Sequence, residues 1–241
     1  MVSAFAPRLD LALGQENVAD KSNEITAIPK LLKAREIKGC LVSIDAMGTQ
    51  REIARLIRHQ GADYLLAVKG NQPRLQQALE DAFIGESDNA QNVIQLGQGR
   101  HVVQTCRTLA NSGQVDTTTG LDCSVLGRVD SVRTVQGQPS VWETRYYIAS
   151  GELATGAFAG AVRDHWGIES RLHWSRDVIF REEARRLGKD NAPQNFSLLT
   201  KMALNLLRQD TSDPKKSMRR KRKVIGWDDD ARRDLLGLTQ L

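Results

Sequence analysis

Cysteine is scarce and scattered: Cys40, Cys106 and Cys123 are the three in 241 residues, and no CxxC pair occurs. That spacing offers neither a zinc-ligand framework nor a disulfide scaffold, and it suits a reducing cytoplasm. Long apolar runs are missing too. No stretch approaches the roughly 20 residues that span a bilayer. The first ten residues, MVSAFAPRLD, lack a basic region followed by an apolar core, so neither a signal peptide nor a membrane partner is expected. No internal repeat is evident. Disorder is excluded by composition, since 40% of residues are hydrophobic and 26% charged.

What the chain has is positive charge. Its formal net charge is +5 and its pI about 9.2, which points toward an anionic partner, nucleic acid first. Many basic proteins bind nothing anionic, so charge alone does not decide this.

The hydropathy pattern predicts strands at Val2–Ala6 and Leu9–Val18, the second with Leu9, Leu11 and Leu13 alternating against Asp10 and Ala12. A helix capped by Ser22 or Asn23 is expected to run to about Ile37 on a stripe of Ile25, Ile28, Leu31 and Leu32. Cys40–Asp45 reads as a strand buried on both faces. Thr49 can cap the next helix, which carries Ile53, Leu56 and Ile57, with Gly61 as its stop. Asp63–Lys69 is a second buried strand, and Asn71–Phe83 a further helix with Pro73 in its first turn. Such alternation implies a parallel α/β core. From 85 to 140 the chain turns rich in Gly, Gln, Asn, Ser and Thr, with β-type runs at His101–Cys106 and Ser124–Val129, and reads as a β-rich insertion. Val141–Ala149 is one more strand. Helical pattern returns from Leu153 to Arg176 and from Ala192 to Gln209, and a charged stretch with a short helical pattern follows.

Two carboxylates stand out. Asp45 follows an apolar strand, and ligand sites of open α/β sheets lie beyond the carboxyl ends of strands. A carboxylate there can bind a divalent cation, although a plain turn residue gives the same pattern. Glu169 sits in RDHWGIESRLHW, where helical spacing puts Val162, Trp166 and His173 near its face. Beside that stripe Glu169 is expected to be partly buried and to meet a metal or a cation, Arg163 or Arg176. A rival reading places His165, Glu169 and His173 on one metal ion. Three ligands strung over two turns of one helix converge poorly, and no HExxH occurs.

Lys69-Gly70-Asn71-Gln72 follows the second buried strand, so it shares a sheet edge with Asp45. It can contact phosphates or simply turn the chain, with Asn71 as helix cap. Lys215, Lys216, Arg219, Arg220, Lys221, Arg222 and Lys223 form a basic run that can neutralise phosphates or remain a solvated tail. Asp228–Asp230 resembles a metal triad only on paper, since consecutive side chains diverge. A helix start is the better reading.

Taken together, SIDAMGTQREIARLI, DYLLAVKGNQ, DHWGIESRLHWSRDVIF, GKDNAPQN and VSAFAP…LALGQENVADKSNEITAIPKLL, in this order over nearly the whole chain, resemble the H-repeat-associated insertion-sequence transposases found with Rhs elements. These belong to the DDE superfamily. The resemblance implies an α/β, ribonuclease-H-like mixed sheet flanked by helices, with a β-rich insertion (about 85–140) before the last catalytic helix. Residues 1–210 would form the catalytic domain and 211–241 a basic tail.

It also implies that Asp45 is the second catalytic aspartate and Glu169 the catalytic glutamate, both metal ligands. In the broader group that glutamate lies in a Tyr-x2-Arg-x3-Glu-x6-Lys pattern. Here Val162, His165 and Arg176 occupy the other places, which leaves their DNA contacts open. DNA contacts are expected from Lys69, Asn71, His165, Arg176, Arg219, Arg220, Lys221, Arg222 and Lys223. The family's first aspartate, on a segment like IDGKTLRGS, would precede Met1, and Asp10 lies on the wrong strand to replace it. The chain therefore reads as N-terminally truncated.

An intact member would use two Mg²⁺ (or Mn²⁺) ions for in-line phosphoryl transfer on double-stranded DNA. The expectation is a cytoplasmic transposase, associated with the nucleoid when bound to DNA and compatible with a homodimer, here an inactive copy. The alternatives are a DNA-binding remnant that interferes with a full-length relative and a metal-dependent nuclease of the same fold.

Overall fold

The computed structural model of the chain describes residues 1–18, 24–85, 91–97, 100–116, 122–135, 138–182 and 184–238. The expected cap at Ser22 or Asn23 lies outside them. The chain divides into two compact units, Val18–His165 and Met1–Asn17 with Trp166–Leu241. No described helix is long and apolar enough to cross a membrane.

The larger unit is built on a six-stranded mixed sheet. Its strands are β3 (Leu41–Ile44), β4 (Asp63–Val68), β5 (Gln91–Gly97), β6 (Arg100–Ala110), β7 (Val125–Val135) and β8 (Gln138–Ala149), in the order β3-β4-β8-β7-β6-β5. Among the described residues only β3 and β4 run parallel, and the other pairings of the sheet are antiparallel. The predicted parallel core is thus a single pair, and the Gly- and Thr-rich stretch between 85 and 140 continues the same sheet as long antiparallel strands.

The expectation of two doubly buried strands holds for β4, where Tyr64, Leu65, Leu66, Ala67 and Val68 are all buried. It fails for β3. With one neighbour among the described residues, β3 is an edge strand there, and Leu41 is 41% exposed.

Helices α1 (Glu24–Lys33), α2 (Arg51–His59), α3 (Pro73–Ala82) and α4 (Thr155–Gly167) complete the picture. The α1 stripe of Ala27, Ile28, Leu31 and Leu32 is buried, and the helix stops at Lys33 rather than Ile37. In α2, Ile53, Ala54 and Ile57 are buried. Gly61 ends it at φ +73°, a left-handed turn that glycine adopts without steric cost. Phe158 of α4 lies over Gly127 of β7, where an added Cβ would come within 2.4 Å of its ring. The same ring meets Tyr147 edge to face, with centroids 5.6 Å apart.

The smaller unit opens with an antiparallel hairpin, β1 (Val2–Ala6) and β2 (Leu11–Glu16). The expected inward face of β2 is reversed: Leu9 is 67% and Leu13 50% exposed, while Ala12 is buried. The cause is close packing by α5 (Ala192–Gln209), whose Asn205 amide both accepts from the Ala12 N–H and donates to the Ala12 carbonyl, each at 2.8 Å. A small residue suits that approach, and leucine does not. Ala12 joins Leu172, Ile179, Phe180, Leu204 and Leu207 in the core, with Met218 and Ile225 packed against it. The last two residues belong to α6 (Met218–Trp227), which α7 (Asp229–Leu235) follows. The basic run is therefore largely a docked helix. Asp228 caps α7 by accepting from the Asp230 and Ala231 N–H groups, so the aspartate triplet is a helix start.

Candidate active-site residues

In the larger unit, β3 delivers Asp45 to a tight 3₁₀ turn, Ala46–Gly48, and one Asp45 oxygen accepts from the Ala46 N–H at 2.7 Å. The side chain is otherwise exposed, and its second oxygen has no partner among the described residues. The turn is fastened by neutral hydrogen bonds. Asn71 Nδ2 donates to the Ala46 carbonyl at 2.9 Å, and Gln72 Nε2 donates to the Thr49 carbonyl. Buried Thr49 donates its hydroxyl to the Ala67 carbonyl at 2.6 Å. Thr49 is thus not the cap of α2, and Asn71 is not the cap of α3; Gln50 and Gln72 stand in those places. Gly48 is required here, because a Cβ would meet Ile44 Cγ2 at 2.4 Å.

Because β3 and β4 are parallel, Lys69 and Asn71 emerge at the same sheet edge as Asp45, as expected. Lys69 is exposed there. His165, at the end of α4, shares a hydrogen bond of 3.1 Å with Ser43, two positions before Asp45.

Glu169 belongs to the other unit. It lies in a π-wound segment, Ile168–His173, that is followed by a second, Ser175–Ile179. There the Trp174 N–H bonds to the Glu169 carbonyl and the Phe180 N–H to the Ser175 carbonyl, both i to i−5. Wider winding re-aims side chains relative to α spacing, and π segments recur at functional sites.

The Glu169 side chain is 60% exposed, not partly buried as expected, because the winding turns it away from the Leu172 side of the segment. Its partner is His173 Nδ1 at 3.1 Å, rather than Arg163 or Arg176. Arg176 instead grips Glu182 with two hydrogen bonds of 2.7 Å. Glu169, His173, Arg176, Asp177 and Glu182 line one cavity with Met1, of about 420 Å³.

Behind that cavity lies a group that the sequence did not single out. Lys201, only 2% exposed, donates to Gln15 Oε1 and to Ser197 Oγ. Burial and the Arg176 charge push its pKa down to about 8, against a smaller upward pull from Glu182. Burial pushes the Glu182 carboxyl up, but bonds from Arg176 and Ser197 outweigh it and hold the carboxyl below its ordinary value. An acid six residues beyond Arg176 was the available signal, and at α spacing it carries none.

Of the basic run, Arg219, Arg220, Arg222 and Lys223 are exposed. Lys221 is turned inward onto Asp210 at 3.2 Å. Among the described residues no three His, Cys, Asp or Glu side chains gather as a metal site. The rival reading with His165, Glu169 and His173 as three ligands is not built: His165 turns to Ser43 and only His173 meets Glu169. Asp45 and Glu169 each keep one carboxylate oxygen without a partner among the described residues, and hard oxygen donors of this kind fit Mg²⁺ or Mn²⁺.

Comparison with known proteins defines the class. The family described as "Transposase DDE domain" matches residues 1–206, and the chain belongs to it. Its relatives include the "H repeat-associated putative transposase YhhI" of Escherichia coli (strain K12), 35% identical over 95% of this chain and 63% of that protein. "Putative protein YbfL" of the same strain is 36% identical over the same shares. "Putative transposase YncI" of Escherichia coli O157:H7 is 39% identical over 93% of this chain and 60% of its own length. The chain thus spans about 63% of the length of the first two of these curated relatives.

Proposed function

We propose that the chain is the core of an insertion-sequence transposase of ribonuclease-H-like fold, made for metal-dependent cleavage and joining of double-stranded DNA. Asp45 and Glu169 are then two of its three acidic metal ligands. The observation that carries this reading is the exposure of both carboxylates, each oriented through one oxygen and open at the other. Bound divalent ions, two Mg²⁺ or Mn²⁺ in the family's manner, would supply Lewis acidity to the attacking and leaving oxygens.

The chain's own residues do the positioning. Asn71, Gln72 and Thr49 fix the turn that presents Asp45. His173 orients Glu169, and exposed Lys69 is placed to meet DNA phosphate. On this reading Asn71, His165 and Arg176 support the site rather than touch DNA, and Lys221 ties α6 to Asp210.

The family's site takes a third acid. Asp10 does not fill the place: it sits in the hairpin turn at φ 54° and pairs with Arg208 at 3.1 Å. The open edge of β3 is where the sheet can accept a further strand bearing that acid.

The test is Mn²⁺ titration followed by paramagnetic line broadening. Asp45→Asn and Glu169→Gln should each weaken binding about tenfold or more, as loss of a charged ligand does. Wild-type affinity in both variants would sink the assignment.

A further inference from the structure

The basic run contributes to a feature that no linear motif shows. Arg219, Arg222 and Lys223 lie on one face of α6, spaced i, i+3 and i+4. They line a cavity of about 220 Å³ together with Val178, Ile179 and Arg181. Arg181 comes from the end of the second π-wound segment, far away in sequence. Arg222 is fixed in place, since its guanidinium donates to the Ile179 carbonyl and lies over the Phe180 ring, 5.2 Å from its centroid. No acid among the described residues pairs with Arg181, Arg219, Arg222 or Lys223, whereas their neighbour Lys221 is committed to Asp210.

Arg181 also stands at φ 53°, one residue past the helical end at Phe180. Glycine is the usual choice at that position, because a side chain there is disfavoured. An arginine held in a left-handed conformation, lining one cavity with three more cations and no acid among the described residues there, is arranged for an anion.

We propose that Arg181, Arg219, Arg222 and Lys223 form a receptor for one phosphate group, with Val178 and Ile179 as its apolar wall. Resting on the transposase reading, the phosphate is one phosphodiester of bound DNA. The pocket, rather than the basic run as a whole, fixes the DNA's register on this unit. Arg220, in the same run but outside the cavity, takes no part.

Arg181→Gly makes the decisive variant. It removes the backbone strain, so thermal stability should hold or rise, while DNA affinity should fall roughly 3- to 10-fold at fixed salt. Lys223→Gln should act alike, and the double variant should lose less than the product of the two, because both face one phosphate. The slope of log affinity against log salt should drop by about 0.9 in the double variant. Arg220→Gln should stay within about twofold of wild type.

Wild-type affinity in Arg181→Gly, an equal loss in Arg220→Gln, or fully multiplicative losses would overturn the pocket. Absence of DNA binding by the wild-type chain would instead remove the transposase reading. Inorganic phosphate in a thermal-shift titration then decides: a stabilisation lost in Arg181→Gly upholds the receptor for free phosphate, and no stabilisation overturns it.

Discussion

The two units are stabilised in opposite ways. In the larger, the deepest side chains are apolar or aromatic: Tyr64, Leu65, Leu66, Ile148 and Phe158 are essentially inaccessible. Among the described residues its one buried acid is Asp130, met by Arg128 on its own strand and by Arg107 and Thr144 on the strands to either side. The interior of the smaller unit is laced with charge: Lys201, Arg176 with Glu182, Arg208 with Asp10, and Lys221 with Asp210. Hydrophobic burial is non-directional and indifferent to pH. Buried ion pairs roughly break even in energy, yet they are costly to break, and they fix geometry. The larger unit is therefore the stable platform, and the smaller is where geometry around Glu169 is held electrostatically.

The largest effect should come from the apolar side. Phe158→Ala removes the ring that covers Gly127 and meets Tyr147. It should cost about 3–5 kcal/mol, read as lost amide-exchange protection across β7 and β8 and unchanged by salt. A cost below about 1 kcal/mol would break the contrast at once. Glu182→Gln comes next. It leaves Arg176 and Lys201 without their carboxylate and should cost roughly 2–3 kcal/mol, seen as faster exchange along α5.

Lys201 turns the contrast into a pH dependence. Its folded pKa of about 8 lies below the ordinary 10.5, so folding disfavours its proton. The charged form burdens the fold at neutral pH, and the burden lifts as pH rises from about 8 toward 10.5. Relative to Lys201→Met, the wild-type chain should therefore gain stability across that window, by up to roughly 3 kcal/mol. Glu182 works with the opposite sign. Its lowered pKa adds stability that is present above the ordinary carboxylate value and lost as pH falls through the folded one. A flat difference between wild type and Lys201→Met from pH 7 to 11 would show that the lysine is not buried as described.

These interiors also explain what could be read from sequence. β4 and α2 were legible because apolar period and burial coincide in them. The placement of Asp45 at the carboxyl end of an apolar strand was legible too. The edge position of β3 was not, since an edge strand in a mixed sheet can be as apolar as a central one. The inverted face of β2 escaped because Asn205, distant in sequence, bonds its backbone and selects alanine over leucine. The π winding around Glu169 escaped because its residues keep α-like spacing, so the predicted burial was wrong and neither arginine offered as a partner meets the carboxylate. Charge networks are long-range as well: Lys201 and Gln15 meet across most of the chain.

The smallest effect sharpens the comparison most. Asp45 in the larger unit is presented by neutral hydrogen bonds, not ion pairs, and Asn71→Ala deletes one of them, to the Ala46 carbonyl. Net loss of such a bond is about 1 kcal/mol, and global stability set by an apolar core should hardly register it. The turn itself should register it, with faster exchange at the Gly48 and Thr49 amides and Mn²⁺ affinity several-fold weaker. That weakening should be the same in low and high salt beyond the salt effect on wild type, because the lost bond is uncharged. The equivalent loss around Glu169, made with His173→Gln, removes the group that orients the carboxylate and should likewise weaken Mn²⁺ binding several-fold. If Asn71→Ala instead lowered global stability by several kcal/mol, the turn would be part of the platform, and the division between an apolar unit that presents Asp45 and a charged unit that holds Glu169 would fail.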